Sequence, residues 1–152
     1  MATTPFPHRY SVTLIADELT EGPRERIRVG APPQFGGVED VWSPEHLLIA
    51  AALTCLKTTF DAYARHEQVA IHAWRGSATG VLAKGHDGPE FSAIALDVEI
   101  VTDPGDEARA QAVLATAERN CIISRALSAP VHVTGKVTSS TSTSRMAADQ
   151  RL

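Results

Sequence analysis

The sequence contains two cysteines, Cys55 and Cys121, and these are the side chains best suited to carry chemistry. Neither belongs to a CxxC motif, so a thioredoxin-type redox pair is not indicated. If the two thiols meet in the folded chain, one thiolate can attack the O–O bond of a peroxide to give a sulfenic acid. The other thiol can then convert that acid to a disulfide. The alternative is that each cysteine is a small, inert hydrophobe in the core.

A thiol in the middle of an apolar helix needs help to ionise, because removal from water raises its pKa. An arginine is a natural partner for Cys55, since it stays protonated and can also polarise a peroxide oxygen. A buried arginine in turn needs a carboxylate, and Glu45 is the candidate. Glu45 precedes Cys55 by ten residues, which is about 15 Å along a straight helix. We therefore expect it to act through a long arginine or across a dimer interface, or merely to favour the helix N-terminus.

The segment 42–68, which carries both residues, is predicted to be one long core helix. Ser43 is a good N-cap and Pro44 suits the first helical position. Apolar residues recur at helical spacing through Tyr63, and Cys55 falls on the predicted buried stripe. The apolar run 47–56 is too short to span a bilayer, so we expect no membrane partner.

The elements around this helix predict an α+β domain. Two strands, 8–17 and 24–29, precede it, and the segment 18–23 between them is expected to turn. A second helix is expected to begin at Asp103 and Pro104 and to end near Asn120, just before Cys121. We expect the remaining strands at 71–82, 91–101 and 131–137. Segregated helices and hairpin connections favour a single domain over residues 1–137, with a flexible tail at 138–152.

Composition limits the classes of partner. A net charge of -4 spread along the chain offers no basic face for nucleic acid. Two cysteines cannot form a four-thiolate zinc site, and the six histidines show no ligand spacing, so we expect no metal site. The N-terminus has no charged-then-apolar leader, so we expect a cytoplasmic location. One small domain covers such an apolar helix poorly, and we therefore expect a homodimer that buries helices between subunits.

Three motifs carry a resemblance to a known family. They are PPQFGG at 32–37, SPEHLLIAAALTC at 43–55 and ERNCIISRAL at 118–127. The second is similar to an N-P-E-x-L block that ends in a cysteine, and the third to a C-P-x-S segment in which Ile122 here replaces the proline. Over about residues 8–137 the chain thus resembles the osmotically inducible protein C and organic hydroperoxide resistance proteins, the OsmC/Ohr family.

The resemblance implies an OsmC-like fold, with antiparallel sheets around a long central helix in an intertwined homodimer. It also implies a thiol peroxidase without a cofactor, which reduces organic hydroperoxides and is re-reduced by a dithiol such as a lipoylated protein. Carried onto this sequence, Cys55 is the peroxidatic thiol and Cys121 the resolving thiol. Glu45 is the partner of a catalytic arginine.

The identity of that arginine is open. Gly22-Pro23-Arg24 is the nearest equivalent of the family's glycine-arginine hairpin, so Arg24 is predicted, with Arg26 and Arg28 on the same strand face as substitutes. If no arginine serves Cys55, the alternative is a non-catalytic relative that binds an apolar small molecule and keeps both cysteines inert. A structural disulfide is a third possibility, which a reducing cytoplasm disfavours.

Overall fold

The structure is a computed structural model that describes residues 8, 10–21 and 23–140. The chain divides into two compact units, Met1–Leu47 and Leu48–Leu152. Gly22 of the predicted arginine hairpin and residues 141–152 of the predicted tail lie outside the described residues. The division into one domain and a tail therefore stays a prediction.

The first unit contains a small antiparallel sheet in the order β1 (Thr13–Ile15), β2 (Glu18–Thr20) and β3 (Ile27–Arg28). The predicted strand 8–17 is thus only three residues long, and the predicted turn 18–23 begins with a strand. The reason is a reversal directly after Ile15, where Ala16 takes a left-handed φ of 51°. Alternating hydrophobicity does not reveal a two-residue turn that lies inside the pattern.

The PPQFGG segment forms a compact loop within the same unit. A short 3₁₀ helix, Pro33–Phe35, ends at Gly36, whose φ of 78° is left-handed. The next residue, Gly37, donates its N–H to Pro32 O at 3.0 Å. A Cβ at Gly37 would overlap the backbone carbonyl of Ala31, which itself accepts from the N–H of Val38 at 3.2 Å. The second glycine is therefore required by close packing of two backbone segments.

Substitution of this glycine should destabilise the loop. We expect Gly37→Ala to lower the free energy of unfolding by about 2 to 3 kcal/mol, because a backbone carbonyl cannot move aside as a side chain can. Gly36→Ala is the matched control: a methyl group there meets open space, and only the left-handed φ costs energy, roughly 1 kcal/mol. Urea unfolding of both variants measures the difference. Equal losses would contradict the packing explanation.

The second unit holds the larger sheet and the helices. The helix α1 (Pro44–His66) begins in the first unit and continues into the second. It is followed by β4 (Ile71–Lys84), β5 (Pro89–Thr102), α2 (Glu107–Asn120), α3 (Ile122–Ala126) and β6 (Val131–Ser139). These elements confirm the α+β class. β4 pairs with β5 in antiparallel fashion, whereas β5 and β6 are parallel, so this sheet is mixed and not purely antiparallel.

Two boundaries in this unit differ from the prediction. α2 begins at Glu107 and not at Asp103, because Gly105 takes a left-handed φ of 92° and breaks the helical path after Pro104. β6 continues through Ser139, two residues beyond its predicted end. The chain between β5 and β6 is occupied by α2 and α3, which supply the crossover that a parallel strand pair requires.

The core of the second unit lies between the sheet, α1 and α2. Side chains one turn apart on α1, namely Ala52, Leu56, Phe60 and Ala64, are buried against β5 residues Ile94, Leu96, Val98 and Ile100 and against α2 residues Ala110, Val113, Leu114 and Ala117. The buried stripe of α1 is therefore centred one residue beyond the predicted one. Cys55 lies at its edge and is half-buried, not central.

α1 is longer than the apolar run from which a membrane span was excluded. The helix has 23 residues and a mean hydropathy of 1.3, so by length and composition alone it could cross a bilayer. The prediction from the short run 47–56 underestimated it. Burial of Leu56 and Phe60 in the core explains this composition without a membrane. Only 22% of the apolar window is buried within the chain, however, which leaves much of the helix uncovered.

Candidate active site

The structure brings Cys55 and Cys121 together. Cys55 lies mid-way along α1, and Cys121 lies between the end of α2 and the start of α3. The Cys121 thiol donates to the carbonyl oxygen of Ala52 at 4.0 Å, on the turn of α1 that precedes Cys55. It is also close enough to Cys55 for a hydrogen bond from it to lower the pKa of Cys55. Both cysteines are free thiols, Cys55 half-buried and Cys121 0% exposed. The two-cysteine reduction of a peroxide requires the two thiols to lie close together, and in this structure they do.

The surroundings of Cys55 favour its thiolate. Burial is the largest influence and raises its pKa, yet four hydrogen bonds together outweigh it. They come from the backbone N–H of Ile123, the Cys121 thiol, the Thr59 hydroxyl and the backbone N–H of Ile122. The net result is that the pKa of the Cys55 thiol lies below its ordinary value. The thiolate, which is the nucleophilic form, is therefore more accessible at Cys55 than at an ordinary cysteine.

These donors were not foreseen in the sequence, where only a cation was expected to assist Cys55. Ile122 and Ile123 begin α3, and the first N–H groups of a helix have no partner within it. They are free to donate to a sulfur that faces the start of that helix. Two signals were available: Thr59 follows Cys55 by one helical turn, and Ile122 and Ile123 directly follow the second cysteine.

Cys121 has the opposite tendency. Burial is the largest influence on its pKa and raises it. The hydroxyl of Ser124, 3.1 Å from the sulfur, and the Ser124 N–H act in the lowering direction, while the hydrogen bond to Cys55 and the charge of Cys55 raise the pKa further. The pKa of Cys121 ends above its ordinary value. As pH rises, Cys55 therefore loses its proton before Cys121 does.

The contribution of the Ile122 amide can be isolated. We expect Ile122→Pro to raise the pKa of Cys55 by up to about one unit, since proline has no N–H to donate. Proline suits the first helical position, so α3 should persist. The pH dependence of Cys55 alkylation by iodoacetamide measures this pKa, and Ile122→Ala, which keeps the N–H, is the control. An unchanged profile in the proline variant, or an equal shift in both, would contradict the assignment.

Glu45 and Arg24 both lie in the first unit, but they do not pair with each other there. Glu45 is in the first turn of α1, and its Oε2 is buried without a hydrogen-bond partner among the described residues. Arg24 forms an ion pair with Glu21, and its side chain is 71% exposed. The substitutes are engaged in the same way, Arg26 with Glu18 at 3.0 Å and Arg28 with Asp40 at 2.8 Å. The catalytic arginine therefore stays a prediction.

The described residues contain no group of three or more His, Cys, Asp or Glu side chains that could hold a metal ion. Histidines of the described part of the chain have specific polar neighbours instead, among them Asp87 for His86. His72 Nε2 is 2.8 Å from Asp103, and His46 Nδ1 is 2.9 Å from the Ser43 hydroxyl. The chemistry that the Cys55–Cys121 arrangement can itself perform is that of two thiols and their hydrogen-bond donors.

Comparison with known proteins adds a family and a set of folds. The family model described as OsmC-like protein matches residues 37–136, a span that includes Glu45 and both cysteines. No protein with a curated description matches the chain significantly.

Solved structures share the fold at low sequence identity. An OsmC-like protein from Mycoplasma pneumoniae has a TM-score of 0.68 at 20% identity and covers 88% of this chain and 99% of its own. An organic hydroperoxide resistance protein from Elizabethkingia anophelis has a TM-score of 0.67 at 16% identity, with coverage of 88% and 99%. An organic hydroperoxide resistance protein OsmC from Legionella pneumophila has a TM-score of 0.62 at 18% identity, with coverage of 85% and 97%.

Proposed function

We propose that this chain, which belongs to the OsmC-like family, is a thiol-dependent peroxidase that reduces organic hydroperoxides. The observation that carries the proposal is that the half-buried Cys55 and the fully buried Cys121 lie side by side, where the pKa of Cys55 is lowered and that of Cys121 is raised. The names of two structural relatives, both organic hydroperoxide resistance proteins, support the class of substrate.

The proposed reaction has three steps. The Cys55 thiolate attacks one oxygen of the hydroperoxide, the O–O bond breaks, and an alkoxide leaves and takes a proton to become the alcohol. Cys55 is then a sulfenic acid. Cys121 attacks its sulfur, water leaves, and a Cys55–Cys121 disulfide forms. An external dithiol, such as a lipoylated protein of the cytoplasm, restores both thiols and departs as its own disulfide.

Arg24 is proposed as the cation that assists the first step, and Glu45 as the carboxylate that orients it. Leaving Glu21 costs Arg24 little, because exposed ion pairs are worth about 0–1 kcal/mol. Glu45 would gain from an arginine, because its buried Oε2 has no hydrogen-bond donor among the described residues and an unpaired buried carboxylate oxygen costs free energy. Arg26 and Arg28 are the substitutes, and their ion pairs are also exposed.

A homodimer is part of the proposal. The strands of the first unit have three, three and two residues, too few for a sheet that is stable by itself. Alternate residues ahead of and within β1 are also exposed, Tyr10 by 91%, Val12 by 68% and Leu14 by 59%. An apolar face of this kind marks an interaction site, and a second copy of the chain that intertwines with the first would cover it.

Steady-state turnover tests the proposal. We expect the reduced protein to consume cumene hydroperoxide rapidly with dihydrolipoamide as reductant, and more slowly with the monothiol glutathione. The same protein with its thiols alkylated beforehand is the control and should be inactive. No consumption by the reduced protein with any dithiol would overturn the proposed function.

One observation favours a second candidate, a non-catalytic protein that binds an apolar small molecule. The groups that lower the pKa of Cys55 are all neutral donors, with no arginine among them. Without a cation to stabilise the leaving alkoxide, the thiols would react slowly. Both thiols would then survive exposure to cumene hydroperoxide, which separates this candidate from the peroxidase.

A further inference from the structure

Ser124 contacts the resolving thiol and has not yet been given a role in the re-reduction of the disulfide. It lies in α3, three residues after Cys121, and its hydroxyl donates to the Cys121 sulfur at 3.1 Å. The N–H of Arg125 donates to the Cys121 carbonyl at 3.1 Å and holds this turn closed. Peroxide attack by Cys55 requires nothing from Ser124, so its contact can act only in the steps in which Cys121 is a thiolate: its attack on the sulfenic acid and its release during re-reduction.

The two sulfurs differ in access, and this decides how the disulfide can be reduced. An incoming thiolate attacks one sulfur of a disulfide, and the other sulfur leaves with the electron pair. Cys121 is 0% exposed, whereas Cys55 is half-buried and can be reached from outside. The attack therefore takes place at Cys55, and Cys121 must leave as a thiolate from a fully buried position. A buried thiolate needs a hydrogen-bond donor.

We propose that Ser124 assists re-reduction directly: its hydroxyl stabilises Cys121 as the leaving thiolate while the external thiol attacks Cys55. The proposal rests on the proposed function for the existence of the disulfide. In the first exchange a bond forms between the reductant sulfur and Cys55, the Cys55–Cys121 bond breaks, and Cys121 keeps the electron pair until it takes a proton. The second thiol of the reductant then releases Cys55.

The pKa order of the reduced protein at first suggests the reverse direction. The lower pKa of Cys55 would make it the better leaving group, because thiols of lower pKa leave faster. Solvent exposure favours attack at Cys55 instead, because the Cys121 sulfur is fully buried and an external thiol cannot reach it. The charge of Cys55, which raises the pKa of Cys121, is also absent once Cys55 is in a mixed disulfide. The hydroxyl and N–H of Ser124 then act on Cys121 without that opposition.

The direction of exchange can be read from a trapped intermediate. The protein is oxidised with diamide, so that disulfide formation does not depend on peroxidase activity. It is then mixed with limiting 2-mercaptoethanol and quenched with N-ethylmaleimide, and the peptides are analysed by mass spectrometry. We expect mercaptoethanol on Cys55 and maleimide on Cys121. The reverse labelling, or the failure of diamide to join the two cysteines, would overturn the inference.

The role of Ser124 itself is tested with two variants. Ser124→Ala should slow reduction of the disulfide by roughly tenfold, the effect expected for loss of a hydrogen bond to a charged group. Ser124→Thr, which keeps a hydroxyl, should restore most of the rate. In a Cys55→Ala background, where Cys121 is the remaining thiol, Ser124→Ala should raise the pKa of Cys121 by about one unit, as followed by thiolate absorbance.

Equal reduction rates for Ser124→Ala and the wild type, or an unchanged pKa of Cys121, would refute the role of Ser124. A different result would refute the proposed function. Labelling as predicted in a protein that does not consume cumene hydroperoxide would disprove the peroxidase and leave the role of Ser124 standing.

Discussion

Replacement of Cys55 by serine should lower the rate of organic hydroperoxide consumption roughly a thousandfold or more, to the uncatalysed background. A serine hydroxyl does not ionise near neutral pH, so the donors around this position would have no thiolate to stabilise. The measurement is steady-state consumption of cumene hydroperoxide with dihydrolipoamide. Substantial turnover by Cys55→Ser would show that the nucleophile has been assigned to the wrong residue.

Cys121→Ser is the matched control for this variant, since it makes the same exchange of sulfur for oxygen at the neighbouring thiol. It should still reduce about one equivalent of hydroperoxide, because Cys55 keeps its N–H donors from α3. It should lose the recycling that passes through the disulfide. If its dithiol-dependent turnover equals that of the wild type, Cys121 is not the resolving thiol.

Truncation of Phe60 should destabilise the protein more than any other single change considered for the core. Phe60 is on the buried stripe of α1 and is 0% exposed. We expect Phe60→Ala to lower the free energy of unfolding by about 3–5 kcal/mol, through lost burial and the cavity left behind. This is a large part of the roughly 5–15 kcal/mol that holds a typical domain folded. Urea unfolding followed by circular dichroism gives the value.

Phe60→Leu provides the comparison, because it keeps an apolar side chain and leaves a smaller void. Its loss should be clearly smaller than that of Phe60→Ala. A loss below about 1 kcal/mol for the alanine variant would mean that the site is not closely packed, and that α1 does not occupy the core as described.

The parts of the fold that the sequence predicted are those with a regular pattern. Ser43 and Pro44 predicted the start of α1, and alternation from Ile94 to Ile100 predicted the buried face of β5. The predicted boundaries are wrong where a single backbone angle determines where a strand or helix begins or ends. Ala16 reverses the chain within an alternating segment, and Gly105 delays α2 by several residues. Neither positive φ is encoded in hydrophobic periodicity.

The candidate site was predictable in its residues and less so in its electrostatics. Both cysteines were identified in advance, and a helix with a second element ending at Cys121 made their meeting plausible. The donors from Ile122 and Ile123 were missed because a backbone N–H carries no signature in residue type, and its direction depends on where α3 begins. The arginine was harder still. The predicted strand 24–29 is reduced to Ile27–Arg28, so Arg24, Arg26 and Arg28 do not share a strand face, and each forms an ion pair with a nearby carboxylate.

A single-turnover experiment tests the central claim most directly, namely that Cys55 and Cys121 act together on a hydroperoxide. Fully reduced protein is mixed with one equivalent of cumene hydroperoxide in the absence of reductant, and free thiols and cysteine-containing peptides are then quantified. The account predicts that both thiols disappear together, that one alcohol forms for each pair, and that a disulfide joins Cys55 to Cys121. Survival of both thiols, or oxidation of Cys55 with Cys121 left free, would contradict it.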